Sequence, residues 1–409
     1  MDFAKPYIPK KRKYYKNIQN YQYKAYNLSL TYKYVISPLC DKIVSYLPLN
    51  LSSNIITILG FLVNLLPLIL TIYYTGLNGQ LPCPKWLCFF SSICYFLYQI
   101  FDNCNSKQAR RSNSTNPLEF LLDHCFDSCV SFFIILILGS IIGIDDIWSY
   151  FMLFLMTTAP FYFCTWEMLI NGELIFPKFN GISDGMIIII LIELFTSISG
   201  TNFWKKGFMI FNSQISINSI FCLIGMCSGL FYCGLSIYNV LIKQKNEKMI
   251  KNFLHLIFYC LLIICFGFVI MIGNKSQIVS IYPKVIVLLF GFEFAKVMGL
   301  MYLSIIMNKE FQPYTIITVV PILCIMSFII LHNIFKYEFN FTNEDGILIF
   351  FFFYNFVAWG HFMYYCFTQM CEILNINILT VSRREQNDVS VVDIHMSTIQ
   401  EEKKSELSE

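Results

Sequence analysis

Three aspartates carry the chemistry that this sequence can offer. Asp102 closes one apolar run, and Asp123 and Asp127 stand four residues apart at the start of the next, on one helical face. Carboxylates at the mouth of a membrane bundle are costly unless they hold a cation or react. Three oxygen-bearing side chains on neighbouring helices suit a hard divalent ion such as magnesium. An Ala109-Arg110 pair lies between the two acid segments.

The elements that must position these acids are membrane helices. Of 409 residues, 56% are hydrophobic and only 13% charged, which is polytopic-membrane usage. One bundle with short connections is expected in place of several soluble domains. The net charge of +3 is too small to argue for nucleic acid. The 16 cysteines are scattered through apolar stretches without a paired metal-type cluster, and read as small buried hydrophobes. No cleavable-signal pattern precedes the first apolar run near Ile55.

Ten apolar segments are expected, near 55–75, 86–104, 118–143, 148–170, 182–199, 220–242, 253–272, 281–306, 315–333 and 347–372. Residues 28–38, with Tyr and Lys between Leu and Val, predict a helix lying in the interface ahead of them. The fold class is therefore all-α, a polytopic membrane protein of about ten transmembrane helices with an N-terminal interfacial helix. Residues 1–54 form a cytosolic segment, 55–382 the membrane domain and 383–409 a disordered cytosolic tail. Most of the 29 Lys and Arg, led by Lys10 to Lys13 and by Lys243, Lys245, Lys248 and Lys251, fall on one side. The positive-inside rule makes that side cytosolic and places both termini and the acids there. N-x-S/T triplets at Asn27, Asn50 and Asn113 are then on the wrong side for glycosylation, while Asn274 and Asn340 lie opposite but close to the membrane.

The acid segment resembles the signature of the CDP-alcohol phosphatidyltransferase family, D-x-x-D-G-x-x-A-R-x8-G-x3-D-x3-D. Asp102, Ala109, Arg110, Asp123 and Asp127 fill five of its eight fixed positions; Asn105, Ser106 and Glu119 replace the second acid and both glycines. Other stretches are similar to the choline/ethanolamine phosphotransferase branch. They are 28–38; Asn54, Ile56, Thr57, Leu59 and Gly60; Trp166, Glu167, Gly172, Leu174, Pro177, Asn180, Gly181, Asp184 and Gly185; and Ala295-Lys296 followed by Met307 and Lys309. Asp184 stands where the branch usually has Glu, and Ile306 where its enzymes tend to carry His.

The resemblance implies transfer of phosphocholine or phosphoethanolamine from CDP-choline or CDP-ethanolamine to diacylglycerol, releasing CMP, in the endoplasmic reticulum or another endomembrane. It implies two Mg2+ or Mn2+ ions held by Asp102, Asn105, Asp123 and Asp127, with Asp127 also the base on the lipid hydroxyl. Arg110 would face phosphate with its fork of donors. Ala109, Ser106, Asn54 and Thr57 would line the substrate path. A homodimer is left open. Asn105 keeps a carbonyl oxygen but removes one charge, so the second ion should bind more weakly. Glu119 either restores that charge from one turn before Asp123 or is a solvent-facing acid at a helix N-terminus.

A second function stays open beside phosphotransfer: a catalytically impaired paralogue that binds lipid or CDP-alcohol or regulates an active partner. A transporter with a carboxylate-lined path is a third reading, disfavoured because no internal repeat is visible. His124 is expected to have a local polar role, and Trp166 to anchor at the interface. Glu293 and Lys296, three residues apart inside a span, read equally as a structural pair or a headgroup contact.

Overall fold

A chain in lipid must satisfy its backbone donors and acceptors internally, and the long apolar runs do so as helices. The computed structural model describes residues 7–79, 81–177, 181, 184–210, 213–243, 249–273, 282–312 and 341–381. In chain order the helices are α1 (Arg12–Asn20), α2 (Ser37–Tyr46), α3 (Ser53–Thr75), α4 (Lys85–Arg111), α5 (Pro117–Ile141), α6 (Ile147–Asn171), α7 (Asp184–Ser199), α8 (Ile217–Lys243), α9 (Met249–Gly273), α10 (Pro283–Met307) and α11 (Phe341–Leu374). Nine of the ten expected segments coincide with helices α3 to α11; the segment 315–333, the tail and Asn274 and Asn340 lie outside the described residues.

Among the described residues six helices are long and apolar enough to cross a membrane: α3, α5, α6, most of α8 and α9, and α10. The count of ten is thus not reached there. Two of the shortfalls have a plain cause: α4 ends in Asp102, Lys107, Arg110 and Arg111, and α7 has only 16 residues. The helices are also joined by strands that the all-α reading omits. Short strands β1 (Ala25–Asn27) and β2 (Leu174–Phe176) pair in parallel, and β3 (Gly207–Ile210) and β4 (Ser213–Ser216) form an antiparallel hairpin.

Helices α10 and α5 form the centre, with 94% and 78% of their spans buried. They cross closely at Gly291, where a Cβ would come within 2.4 Å of the Phe132 ring, so only glycine fits. Inside α10, Lys296 Nζ lies 2.9 Å from Glu293 Oε2, both side chains 2% exposed. Of the two readings open for these residues, the structural pair is the one formed. Trp166 is not an interface anchor: it is fully buried on α6, and its Nε1–H donates to the Asn252 carbonyl of α9 at 3.0 Å.

At the predicted interfacial segment, a π-helical turn (Tyr32–Ile36) runs into α2, with Tyr34 and Val35 exposed and Ile36 buried. The basic run opens α1, which docks on the bundle. Asn17 Nδ2 donates to the Met307 carbonyl at 2.7 Å, Ile8 N donates to Gln369 Oε1 at 3.1 Å, and Tyr7 Oη lies 3.0 Å from His361 Nδ1.

At the end of the bundle remote from the acids, residues 76–79, 81–84, 142–146, 200–206 and 218 meet. Lys284 Nζ donates to Thr75 Oγ1 at 2.5 Å and to the Gly76 carbonyl at 2.8 Å. Lys85 Nζ caps α7 through the Ile198 carbonyl at 2.7 Å, and Lys205 pairs with Asp145 at 3.1 Å. Asn218 Nδ2 donates to the Ile142 and Gly143 carbonyls, and Thr201 Oγ1 to the Cys83 carbonyl.

Candidate active site

A five-residue turn makes the site. Asn113 adopts φ 52°, and Ser114 N donates to the Ala109 carbonyl at 2.9 Å, folding the chain back after α4. Asn116 then caps α5 by accepting from Glu119 N at 3.0 Å, with Pro117 at the first helical position. The returning helix sets Asp123 and Asp127 against the C-terminal half of α4. Helix α3 lies against both, stacking Phe61 on Phe126 at 4.2 Å. It approaches α4 at Gly60, where a Cβ would sit 3.1 Å from Phe101 Cβ.

The three aspartates come together. Each is partly buried, and the charges of Asp102 and Asp127 act on one another and on Asp123. Among the described residues no Lys or Arg forms an ion pair with any of them. Tyr98 Oη donates to Asp127 Oδ1 at 2.5 Å. Asn105 Nδ2 donates to Asp123 Oδ1 at 2.5 Å and to Thr57 Oγ1 at 2.9 Å. Asn105 thus faces the acids with its amide nitrogen, and its oxygen accepts from Ser106 N.

Repelling carboxylates without a counter-cation form a donor set that fits a hard divalent ion. Ligand atoms of Asp123, His124 and Asp127 lie within 4.8 Å of one another. His124, however, uses both ring nitrogens elsewhere: Nδ1 is 3.0 Å from the Phe120 carbonyl and Nε2 is 3.2 Å from Tyr23 Oη. Its contacts are local and polar, which leaves the carboxylates as the candidate ion ligands.

Glu119 is no solvent-facing acid. It is 8% exposed, adjoins Arg110 and Ser53, and its charge reaches Asp123. Arg110 is exposed at the rim of a recess lined by Asp41, Val44, Ser45, Lys107 and Arg111. The neighbouring cations are engaged: Lys107 with Asp41 at 2.5 Å, and Arg111 with the Val44 and Leu47 carbonyls at 2.5 and 2.6 Å. Ala109 is fully buried, so its small size serves packing in this conformation; Ser106 is partly exposed. Thr57 joins the acids through Asn105. Asn54 does not: its Nδ2 holds the Ile378 carbonyl at 2.8 Å, tying down the chain beyond α11.

Two tyrosines escape a motif-based reading. Tyr98 sits one turn before Asp102 on the same helix face, so its place was available from spacing alone. Tyr23 arrives from far along the sequence. It is 38% exposed, its hydroxyl lies against His124 Nε2, and desolvation and then the Asp123 charge push the phenol well above its ordinary range. It therefore stays protonated beside His124. Behind it, β1 and β2 are fastened by Ser29 Oγ, which donates to Asp184 Oδ1 at 2.9 Å, and by Thr31 Oγ1, which donates to the same oxygen.

No family model matches the chain. It is similar to uncharacterized CDP-alcohol phosphatidyltransferase class-I family protein 1 of Dictyostelium discoideum, 26% identical over 390 residues, covering 94% of this chain and 98% of that one. Choline/ethanolaminephosphotransferase 1 of Arabidopsis thaliana is 27% identical over 310 residues, 70% of this chain and 76% of the relative. Choline/ethanolaminephosphotransferase 2 of the same plant is 32% identical over 193 residues, 47% and 48% of the two chains.

Proposed function

We propose, for a chain that belongs to the CDP-alcohol phosphatidyltransferase family, that it transfers phosphocholine or phosphoethanolamine from the CDP-alcohol to diacylglycerol in an endomembrane. The observation that carries this reading is the convergence of Asp102, Asp123 and Asp127 without a counter-cation. The names of the relatives support the same class of substrate.

Magnesium or manganese, held by these carboxylates, would supply positive charge to the diphosphate oxygens. The rest is the work of the chain. Asp127, oriented by Tyr98, receives the proton of the lipid hydroxyl. That hydroxyl oxygen bonds to the phosphorus distal to cytidine, the bond from this phosphorus to the bridging oxygen breaks, and CMP leaves. Arg110 meets the phosphates at the rim, and Asn105 holds Asp123 in place. Glu119, buried one turn before Asp123, is placed where an ionised carboxylate would restore the charge that Asn105 lacks.

One observation favours a second reading. The Asn105 amide gives Asp123 a donor where the family's signature has another acid. This suits a catalytically impaired paralogue that still binds CDP-alcohol or lipid. The experiment is radiolabel transfer from CDP-choline and CDP-ethanolamine to diacylglycerol, in membranes lacking endogenous activity, with and without magnesium. Magnesium-dependent product supports phosphotransfer. CDP-alcohol binding without product selects the second reading, and product formed in chelator rejects the assigned mechanism.

A further inference from the structure

Two thiols meet at the end remote from the acids. Cys83 precedes Pro84, the cap of α4, and Cys88 lies in the first turn of that helix. Their Sγ atoms are 3.7 Å apart, and both residues are buried. Cys83 lies outside the helix, so side-chain rotation with a small loop shift can bring the sulfurs to bonding distance, about 2.05 Å.

The acid end has its own thiol pair. Cys104 Sγ reaches the Cys40 carbonyl at 4.0 Å, Cys40 Sγ reaches the Ile100 carbonyl at 3.7 Å, and the two thiols interact. The compartments differ. Asp102 lies fourteen residues beyond Cys88 on the same helix, about 21 Å along its axis. The Lys and Arg pattern puts the acids in the cytosol and Cys83 and Cys88 on the opposite face. In an endomembrane that face meets an oxidising lumen, and the cytosolic face a reducing one.

We infer that Cys83 and Cys88 form a disulfide in the mature protein, while Cys40 and Cys104 remain thiols. The oxidant is a lumenal disulfide, protein or low-molecular-weight. The thiolate of one cysteine attacks it to give a mixed disulfide, and the second thiolate displaces the remaining thiol. Two cysteine thiols and one oxidant disulfide thus become one cystine and two oxidant thiols. The bond closes a short loop and would fix the start of α4 against the Thr201 loop. The inference rests on the charge-derived orientation and on the endomembrane location of the proposed function, and not on phosphotransfer.

The test is differential alkylation of the full-length protein from endomembranes. Membranes are denatured in N-ethylmaleimide without reductant, then reduced and treated with iodoacetamide, and peptides are read by mass spectrometry. Cys83 and Cys88 should carry the second label, Cys40 and Cys104 the first. First label on Cys83 and Cys88 overturns the proposal, and second label on Cys40 and Cys104 overturns its compartment argument. In Cys88→Ser, Cys83 should shift to the first label. Continued protection of Cys83 would mean a different partner and also overturns it.

Discussion

The two ends of the bundle treat charge in opposite ways. At the remote end three described lysines have an oxygen partner, Lys284 with Thr75 and Gly76, Lys85 with Ile198 and Lys205 with Asp145, while Lys206 lies over the Phe203 ring. At the acid end three carboxylates face one another with only Tyr98 and Asn105 as neutral donors. Placing a charge near lipid is costly, and the fold meets that cost internally only where the charge is structural. The clustering of three carboxylates without a counter-charge is what sets the acid end apart and fits a cation there.

The comparison makes its largest prediction at the acids. Asp123→Ala and Asp127→Ala should each lower product formation by more than roughly 100-fold, with no loss of thermal midpoint in detergent. A lowered midpoint would show that the acids are structural after all and erase the contrast. Lys284→Met should do the reverse. Two buried oxygens lose a charged donor, at a cost of about 1–3 kcal/mol of stability, while the activity of the protein that remains folded stays unchanged. Any change in magnesium dependence would link the two ends.

The altered motif sharpens the contrast. Asn105→Asp with Ser106→Gly adds a fourth carboxylate and space beside it, and should raise activity or tighten manganese binding on the order of tenfold. If Glu119 already supplies the charge, Glu119→Gln should weaken metal dependence and the Asn105 change should do little. No effect from either, in correctly inserted protein, favours the impaired-paralogue reading. The smallest effect belongs to Tyr98→Phe, which removes one orienting donor. A fall in activity of a few-fold to about tenfold is expected, with manganese affinity nearly unchanged.

What could be read from the sequence followed from local periodicity. The spacing of Asp102, Asp123 and Asp127 was enough to bring them together, because each lies on a regular helix and one short turn joins the two. The apolar runs likewise marked α3 to α11. Long-range docking left no local trace. Nothing about Tyr23 signals that it will cover His124, and a Lys-rich start gives no sign that α1 packs on α10 and α11. Trp166 has the composition of an interface residue, and only its buried bond to Asn252 shows otherwise. The orientation of the Asn105 amide depends on Thr57, 48 residues earlier, which no motif encodes.

The strap formed by residues 7–31 has a consequence for biosynthesis. Its strand β1 needs β2, and its first turn needs His361 and Gln369, partners separated by 354 and 361 residues. At roughly 5–20 residues per second, the ribosome delivers those partners about twenty to seventy seconds after the strap itself. Tyr7 and Ile8 must therefore wait unpaired while the helices insert, and this end of the strap fastens last. Tyr23 and β1 find His124 and β2 much earlier, so the strap is fastened from its C-terminal end toward its start, and a chain stalled before α11 would lack its first anchors.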